Sequence, residues 1–335
     1  IRRQRQMCIR DSQMAGIRLD SVENFNIERN WIYRIRYLGN LGWGSYGIRV
    51  AFPASFINAN PSHTIANNMI AGVYADAWSS TTGIGWVSGI YVTASSTIAN
   101  AFLSIDHNTI HLYGNNGSTY TGGGSSGISF YNISGGTSLR GNLIQNNLKA
   151  STDPNKVALA VAFFTAPTSI AANYNCYRVN SQAPYNLIAR VGTAYDTTFA
   201  QWQARPFSPD ANGQLHLPGD VPFEADTNLH LVASSPSSAI NAGGVPPIVT
   251  IDIDGDSRPM GGVSDPGTAP DIGADELGGT PFTCPTALQA PDFNVTTPPN
   301  AGSDYLWGSS ITLDTAGAGS PPAAGILSGI YSLDG

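Results

Sequence analysis

The sequence predicts an all-β chain wound as a right-handed parallel β-helix, a solenoid with a C-terminal acidic cap and a truncated following segment. Three observations carry this expectation. A phrase of Asn and apolar residues recurs at Asn30, Asn68, Asn108, Asn142 and Asn175, in steps of 38, 40, 34 and 33 residues. That spacing belongs to solenoids, propellers and arrays. Between the Asn phrases, Gly47-Ile48, Gly89-Ile90 and Gly127-Ile128 each lead a short alternating run, the period of a strand rather than of a helix. Charged residues make up only 12% of the 335, and Lys occurs twice, so good helix formers are scarce.

Each phrase is too short to bury its own apolar face, so stability must come from the coil above and the coil below. Asn tolerates the left-handed backbone of a sharp bend, and amides stacked at one corner can bond along the stack. The five Asn residues are therefore read as a structural corner. Ile, Val and Leu just after each Asn are expected inward, with Ser, Thr and Asn outward.

In chain order, Met7-Cys8-Ile9-Arg10-Asp11-Ser12 resembles the translation of a sequencing-library adapter, and residues 1–12 are set aside as an artefact. Residues 13–278 form the solenoid domain, with Gly/Ser/Thr/Asn tracts such as 114–127 thrown out as corner loops. A short helical turn is expected within 196–204, its Phe199 and Trp202 covering the stack. Residues from about 205 to 278 form the cap, because an open last coil would expose a row of unpaired backbone groups. Residues 279–335 read as a linker and the start of a further, truncated module.

The net charge of −7 and a pI near 5.1 exclude a nucleic-acid groove as partner. No run reaches the ~20 apolar residues of a membrane helix, so no membrane insertion is expected. Cys8, Cys176 and Cys284 have no metal-site spacing.

Several groupings could carry chemistry. Asp252, Asp254, Asp256, Asp265, Asp271, Asp275 and Glu276 crowd seven of the 23 acids into 25 positions, opposed only by Arg258. Such a cluster repels itself unless spread in solvent or built around a cation. Asp252, Asp254 and Asp256 could hold Ca²⁺. Alternatively, their carboxylates cap backbone amides while Arg258 ties the cap to the stack. Asp106 and His107, with His111 nearby, could form an acid/base pair or half a metal site, or could flank the Asn108 corner as exposed polar strand residues. Trp78, Trp86, Tyr91, Tyr113 and Tyr120 lie in or beside corner loops, where they could stack on sugar rings or close loops over the core.

Asn173-Tyr174-Asn175-Cys176-Tyr177, Phe199 to Trp202, Ser235 to Gly243, Asp252 to Pro259 and Asp271 to Glu276 occur in that order. Together they resemble the C-terminal half of the right-handed β-helix repeat proteins secreted by Bacteroidetes-type bacteria, over roughly residues 20–278. Leu327-Ser328-Gly329-Ile330-Tyr331 is similar to the entry phrase of a further module in that group's large surface arrays. The resemblance implies the hand of the coil, an extracellular, cell-surface location and neighbouring modules in one long chain. It leads to a structural or adhesive module whose partner would be a polysaccharide or cell-surface glycan. Pectate-lyase-like enzymes share the fold, so a polysaccharide lyase, or less readily a glycoside hydrolase, is the alternative. Its base would be Arg140 or Lys149, the basic residues flanking Asn142, with Asp106 and His107 near the groove.

Overall fold

The computed structural model of the protein describes residues 14–37, 43–75, 87–114, 124–148, 157–179, 186–217, 219–232, 237–259 and 269–277, with short strands at Tyr305–Leu306, Ser310–Leu313 and Tyr331–Ser332. It is a parallel β-solenoid of about five coils, as the repeats predict. The first coil runs β1 (Met14–Asp20), β2 (Phe25–Glu28), β3 (Trp31–Tyr33) and β4 (Arg36–Tyr37); the second runs β5 (Ser45–Phe52), β6 (His63–Ala66), β7 (Met69–Ala71) and β8 (Tyr74–Ala75). The third is β9 (Val87–Ile98), β10 (Leu103–Asp106) and β11 (Thr109–Leu112), and the fourth β12 (Ser125–Ile133), β13 (Gly135–Arg140) and β14 (Leu143–Asn146). The fifth is β15 (Ala158–Phe163), β16 (Ser169–Asn173) and β17 (Cys176–Val179). Stacking these coils gives three faces. Sheet A holds β1, β5, β9, β12, β15 and β18 (Asn186–Val191), sheet B holds β2, β6, β10, β13 and β16, and sheet C holds β3, β7, β11, β14 and β17.

Register explains the phrases. On sheet A, Ile17, Ile48, Ile90, Ile128 and Val161 lie directly above one another, and on sheet B Ile27, Ile65, Ile105 and Leu139 do the same. Sheet C adds Ile32, Ile70, Ile110 and Ile144, and the three columns meet in one continuous core. The Gly before each sheet A Ile exists because of those sheet C columns. A Cβ at Gly47, Gly89 or Gly127 would run into Cγ2 of Ile70, Ile110 or Ile144 and into the backbone oxygen of the next coil. In the fifth coil the Gly position is Ala160, and the facing residue changes from Ile to Tyr177.

The five corner Asn residues form a buried amide ladder. Asn68 donates its Nδ2 to Asn108 Oδ1 at 2.9 Å, Asn108 to Asn142 Oδ1 at 3.0 Å and Asn142 to Asn175 Oδ1 at 3.0 Å. Each acceptor oxygen also takes the backbone N–H of the Asn one coil earlier, as Asn142 Oδ1 does from Asn108 at 3.1 Å. The left-handed backbone lies one residue before the expected place: Arg29, Asn67, His107, Gly141 and Tyr174 have φ of 53°, 51°, 51°, 66° and 57°. The preceding residue makes the bend, which frees the Asn side chain to point into the stack. The residue right after each Asn faces outward; the inward Ile comes second. Trp31, Met69, Thr109 and Leu143 occupy that outward row, and all but the partly exposed Trp31 are buried.

The end of the stack is closed by a short helix. After β18 the chain reverses as β19 (Ala194–Asp196) along the edge of sheet A, then forms α1 (Phe199–Gln203), whose first turn carries a capping box between Thr198 and Gln201. Trp202 is fully buried and lies 6.3 Å from Phe163, which stacks on Phe130 at 4.8 Å. This is the cover expected of 196–204. Asp210 takes the next rung of the ladder: its Oδ1 accepts Asn175 N–H and Nδ2, and its Oδ2 accepts Tyr177 O–H and Trp202 Nε1–H at 2.7 and 2.8 Å. The short strand β20 (Gln214–Leu215) then pairs with β17. Ser310–Leu313 pairs antiparallel with β2 at the opposite end of sheet B.

The acidic segment expected over the end of the stack lies instead along its side. After the hairpin β21 (Phe223–Ala225) and β22 (Asn228–Leu231), it runs back over the outer row of sheet C. Leu229, Ile253 and Ala274 pack on Met69 and Ala71, while Ile272 and Leu277 pack beside Leu143. Trp31 Nε1 donates to Thr227 O at 2.9 Å, and the Ala274 N–H donates to Thr109 Oγ1 at 2.8 Å. Arg258, fully buried, pairs with Glu276 at 2.9 Å and reaches Asn67 Oδ1 at the bend of the second coil. It ties the segment to the stack, as one of the two sequence readings expects.

Candidate functional site

Sheet B is the face that presents side chains in register to an open trough. Its inward residues, Leu103, Thr137 and Ile170 among them, leave the alternate positions Asn26, Thr64, Ser104, Ser138 and Ala171 on the outer side, one per coil. Coils in register are ~4.8 Å apart, so Thr64, Ser104 and Ser138 form a row of hydroxyls at that spacing. Between the third and fifth coils the row widens into an open trough of about 520 Å³. Asn100, Ser104, Ser138 and Ser169 supply its polar groups, and Phe102 and Phe207 its aromatic walls. Phe102 stands at a left-handed bend, φ 47°, which turns its ring out beside β10. Phe207 packs edge-on against Trp202 at 5.6 Å.

Two residues further along the same strands are Asp106 and Arg140, paired in register. Burial pushes the Asp106 carboxyl up to about 7, with Arg140 and the Ser138 hydroxyl opposing the shift. Only 2% of Asp106 is exposed, and its Oδ1 is buried without a hydrogen-bond partner. His107 does not join it. The left-handed bend carries the His107 ring onto Gly141 and under residues 271–273, where burial and the charge of Arg258 push its pKa well below the ordinary value. The acid/base pair read from adjacent residues is thus not assembled: the bend separates them. Nor do these residues flank the corner exposed, since both are buried. His111 lies apart on the outer face of sheet C, where its Nε2 faces Gln145 Nε2 at 3.1 Å and burial lowers its pKa to about 4.

The aromatic candidates fare unevenly. Tyr91 is 3% exposed and stacks on Tyr46 at 4.8 Å, so it closes sheet A rather than offering a platform. Tyr113 is half-buried against His111 and the apolar cluster under the acidic segment. Lys149, Trp78, Trp86 and Tyr120 lie outside the described residues. Phe102 and Phe207 carry no repeat signal. One sits before a strand and the other after the helix, and only the fold brings them to one trough.

The proposed Ca²⁺ ligands are also redistributed. Asp252 Oδ1 accepts the N–H groups of Asp254, Gly255 and Asp256 at 2.8–2.9 Å, and its Oδ2 accepts that of Glu276 at 3.2 Å. Asp252 is therefore the capping carboxylate of its own loop. Asp254 turns away to His230, at 2.8 Å. The three carboxylates do not converge in the manner a calcium loop requires.

Comparison with family models, with curated proteins and with solved structures gives no match.

Proposed function

We propose that this chain is a structural and adhesive module of a secreted bacterial surface protein, and that it contacts a polysaccharide along the outer face of sheet B. The observation that carries the reading is the trough. It combines a row of hydroxyl and amide side chains at one-coil spacing with two aromatic walls, which suits an extended, repeating, hydroxyl-rich chain. The internal ladder, the stacked Ile columns and the capped end support a stiff rod. Neighbouring modules would continue it, and the extracellular placement follows from the resemblance of the coils and acidic segment to secreted repeat proteins.

The test is retention of the full chain on a panel of immobilised neutral polysaccharides and polyuronates, with Ser138→Trp as the variant that fills the trough. Retention on at least one polymer, lost in Ser138→Trp, is expected. Failure of every polymer to retain the protein, or equal retention of the variant, would remove the adhesive part of the proposal.

A second reading, a polysaccharide lyase, draws on Asp106. A carboxyl held near neutrality beside Arg140, next to a trough, is the kind of group that serves acid/base chemistry. Polymer cleavage in the same incubations distinguishes the two.

A further inference from the structure

The acidic segment gathers one imidazole and two carboxylates at a single point. His230 Nε2 and one oxygen each of Asp254 and Asp275 all lie within 4.8 Å of one another. The three side chains are only 5%, 6% and 10% exposed. They come from three separate stretches, namely β22, the loop capped by Asp252, and the run 271–277 bound by Arg258.

Two features show that the cluster is built around a positive centre. The first is the imidazole. Asn228 Nδ2 donates to Glu224 at 2.6 Å, which turns the Asn228 Oδ1 onto His230 Nδ1. Nδ1 must then be the donor, so in a neutral ring the Nε2 lone pair faces Asp254 Oδ2 at 2.8 Å and Asp275 Oδ1 at 4.0 Å. A lone pair against two carboxylates is repulsive unless a cation or a proton lies between them. The second feature is Asp275. Its Oδ2 accepts the Leu231 N–H at 2.9 Å, while its Oδ1 is aimed into the cluster and meets no hydrogen-bond donor among the described residues.

We propose that His230, Asp254 and Asp275 bind a divalent cation of the zinc class. One nitrogen and two carboxylate oxygens suit Zn²⁺, which takes both ligand types at ~2.0–2.2 Å and leaves a fourth position for water. Ca²⁺ needs six to eight oxygens, more than this cluster offers. The bond from His230 Nδ1 to Asn228 is the outer contact that orients ligating imidazoles, and the Trp31 ring packs edge-on to His230 at 5.5 Å. A cation here would staple the hairpin, the Asp252 loop and the 271–277 run to the first coil. The inference is independent of the polysaccharide reading.

The experiment titrates Zn²⁺ and Ca²⁺ into the tag-free full chain after chelator treatment, by calorimetry and by thermal melting. One equivalent of Zn²⁺ is expected to bind and to raise the melting temperature by at least about 3 °C. Asp254→Asn and Asp275→Asn should each weaken that binding at least about tenfold, and Ca²⁺ should bind more weakly than Zn²⁺. Absence of saturable Zn²⁺ binding by the wild-type chain would overturn the proposal and leave a proton as the centre of the cluster. So would unchanged affinity in both variants, or Ca²⁺ binding as tight as Zn²⁺. Should either variant fail to fold, the wild-type titration still decides.

Discussion

Truncating one rung of the amide ladder tests what holds the coils in register. In Asn108→Ala the chain loses the Oδ1 that accepts Asn68 N–H at 3.1 Å and Asn68 Nδ2 at 2.9 Å. It also loses the Nδ2 that donates to Ile65 O at 2.9 Å, Asp106 O at 3.2 Å and Asn142 Oδ1 at 3.0 Å. Asn68 Nδ2 keeps two carbonyl acceptors, but the Asn68 N–H loses its side-chain acceptor at a fully buried site. An orphaned buried donor costs about 1–3 kcal/mol. The small void left by the amide adds to that, so the expected loss is roughly 3 kcal/mol. In Asn30→Ala the Nδ2 bonds to Glu28 O and Asn68 Oδ1 are lost, but Asn68 Oδ1 still accepts the residue 30 N–H and no ladder N–H is orphaned, so the cost should be about 1 kcal/mol. Urea unfolding, followed by Trp fluorescence and far-UV circular dichroism, measures both, with coincident transitions as the check that the solenoid unfolds as one unit. Equal losses at the two positions, or less than about 1 kcal/mol at Asn108, would refute the ladder as a chain of shared buried bonds.

Three more predictions follow from the same geometry. Asp210→Asn keeps the shape but turns an amide N–H toward Trp202 Nε1–H, and should lower stability by about 2 kcal/mol in urea unfolding. Gly89→Ala should cost at least about 1–3 kcal/mol, because the new Cβ meets both Ile110 Cγ2 and the Gly127 backbone oxygen. Ile110→Ala relieves only the side-chain part of that clash, so Gly89→Ala/Ile110→Ala should lose less than the sum of its parts; a double variant no better than that sum would contradict the packing. For Asp106, a carboxyl raised to about 7 makes the folded state bind more protons than the unfolded chain between about pH 4 and 7, so its contribution erodes stability as pH rises. The advantage of Asp106→Asn over wild type should therefore grow from near zero at about pH 3.5 toward roughly 4 kcal/mol at about pH 8. An advantage that shrinks with pH would mean that the pairing with Arg140 outweighs burial.

The coils were legible because their signals repeat. Asn recurs where only a side chain with both an acceptor and a donor can serve two neighbours at once, and Gly recurs where sheet C's Ile columns leave no room for a Cβ. The position of the bend was not legible, since Arg29, Asn67, His107, Gly141 and Tyr174 share a backbone conformation and no chemistry. That one-residue offset also sends Asp106 and His107 to different surroundings. The acidic segment misleads for another reason. Its charges look like a surface cluster in sequence, yet Asp252, Asp271 and Glu276 are buried, met by backbone amides and, at Glu276, by Arg258. The Phe102 and Phe207 walls of the trough are 105 residues apart and meet only through stacking and the closing helix.

The measurement that bears most directly on a contact module rather than an enzyme is incubation of the full chain with the polymers that retain it, followed for new unsaturated and reducing ends. Retained polymer with no new ends above a protein-free control is the predicted result. Chain cleavage that disappears in Arg140→Ala or Asp106→Asn would contradict it and make the trough an active site.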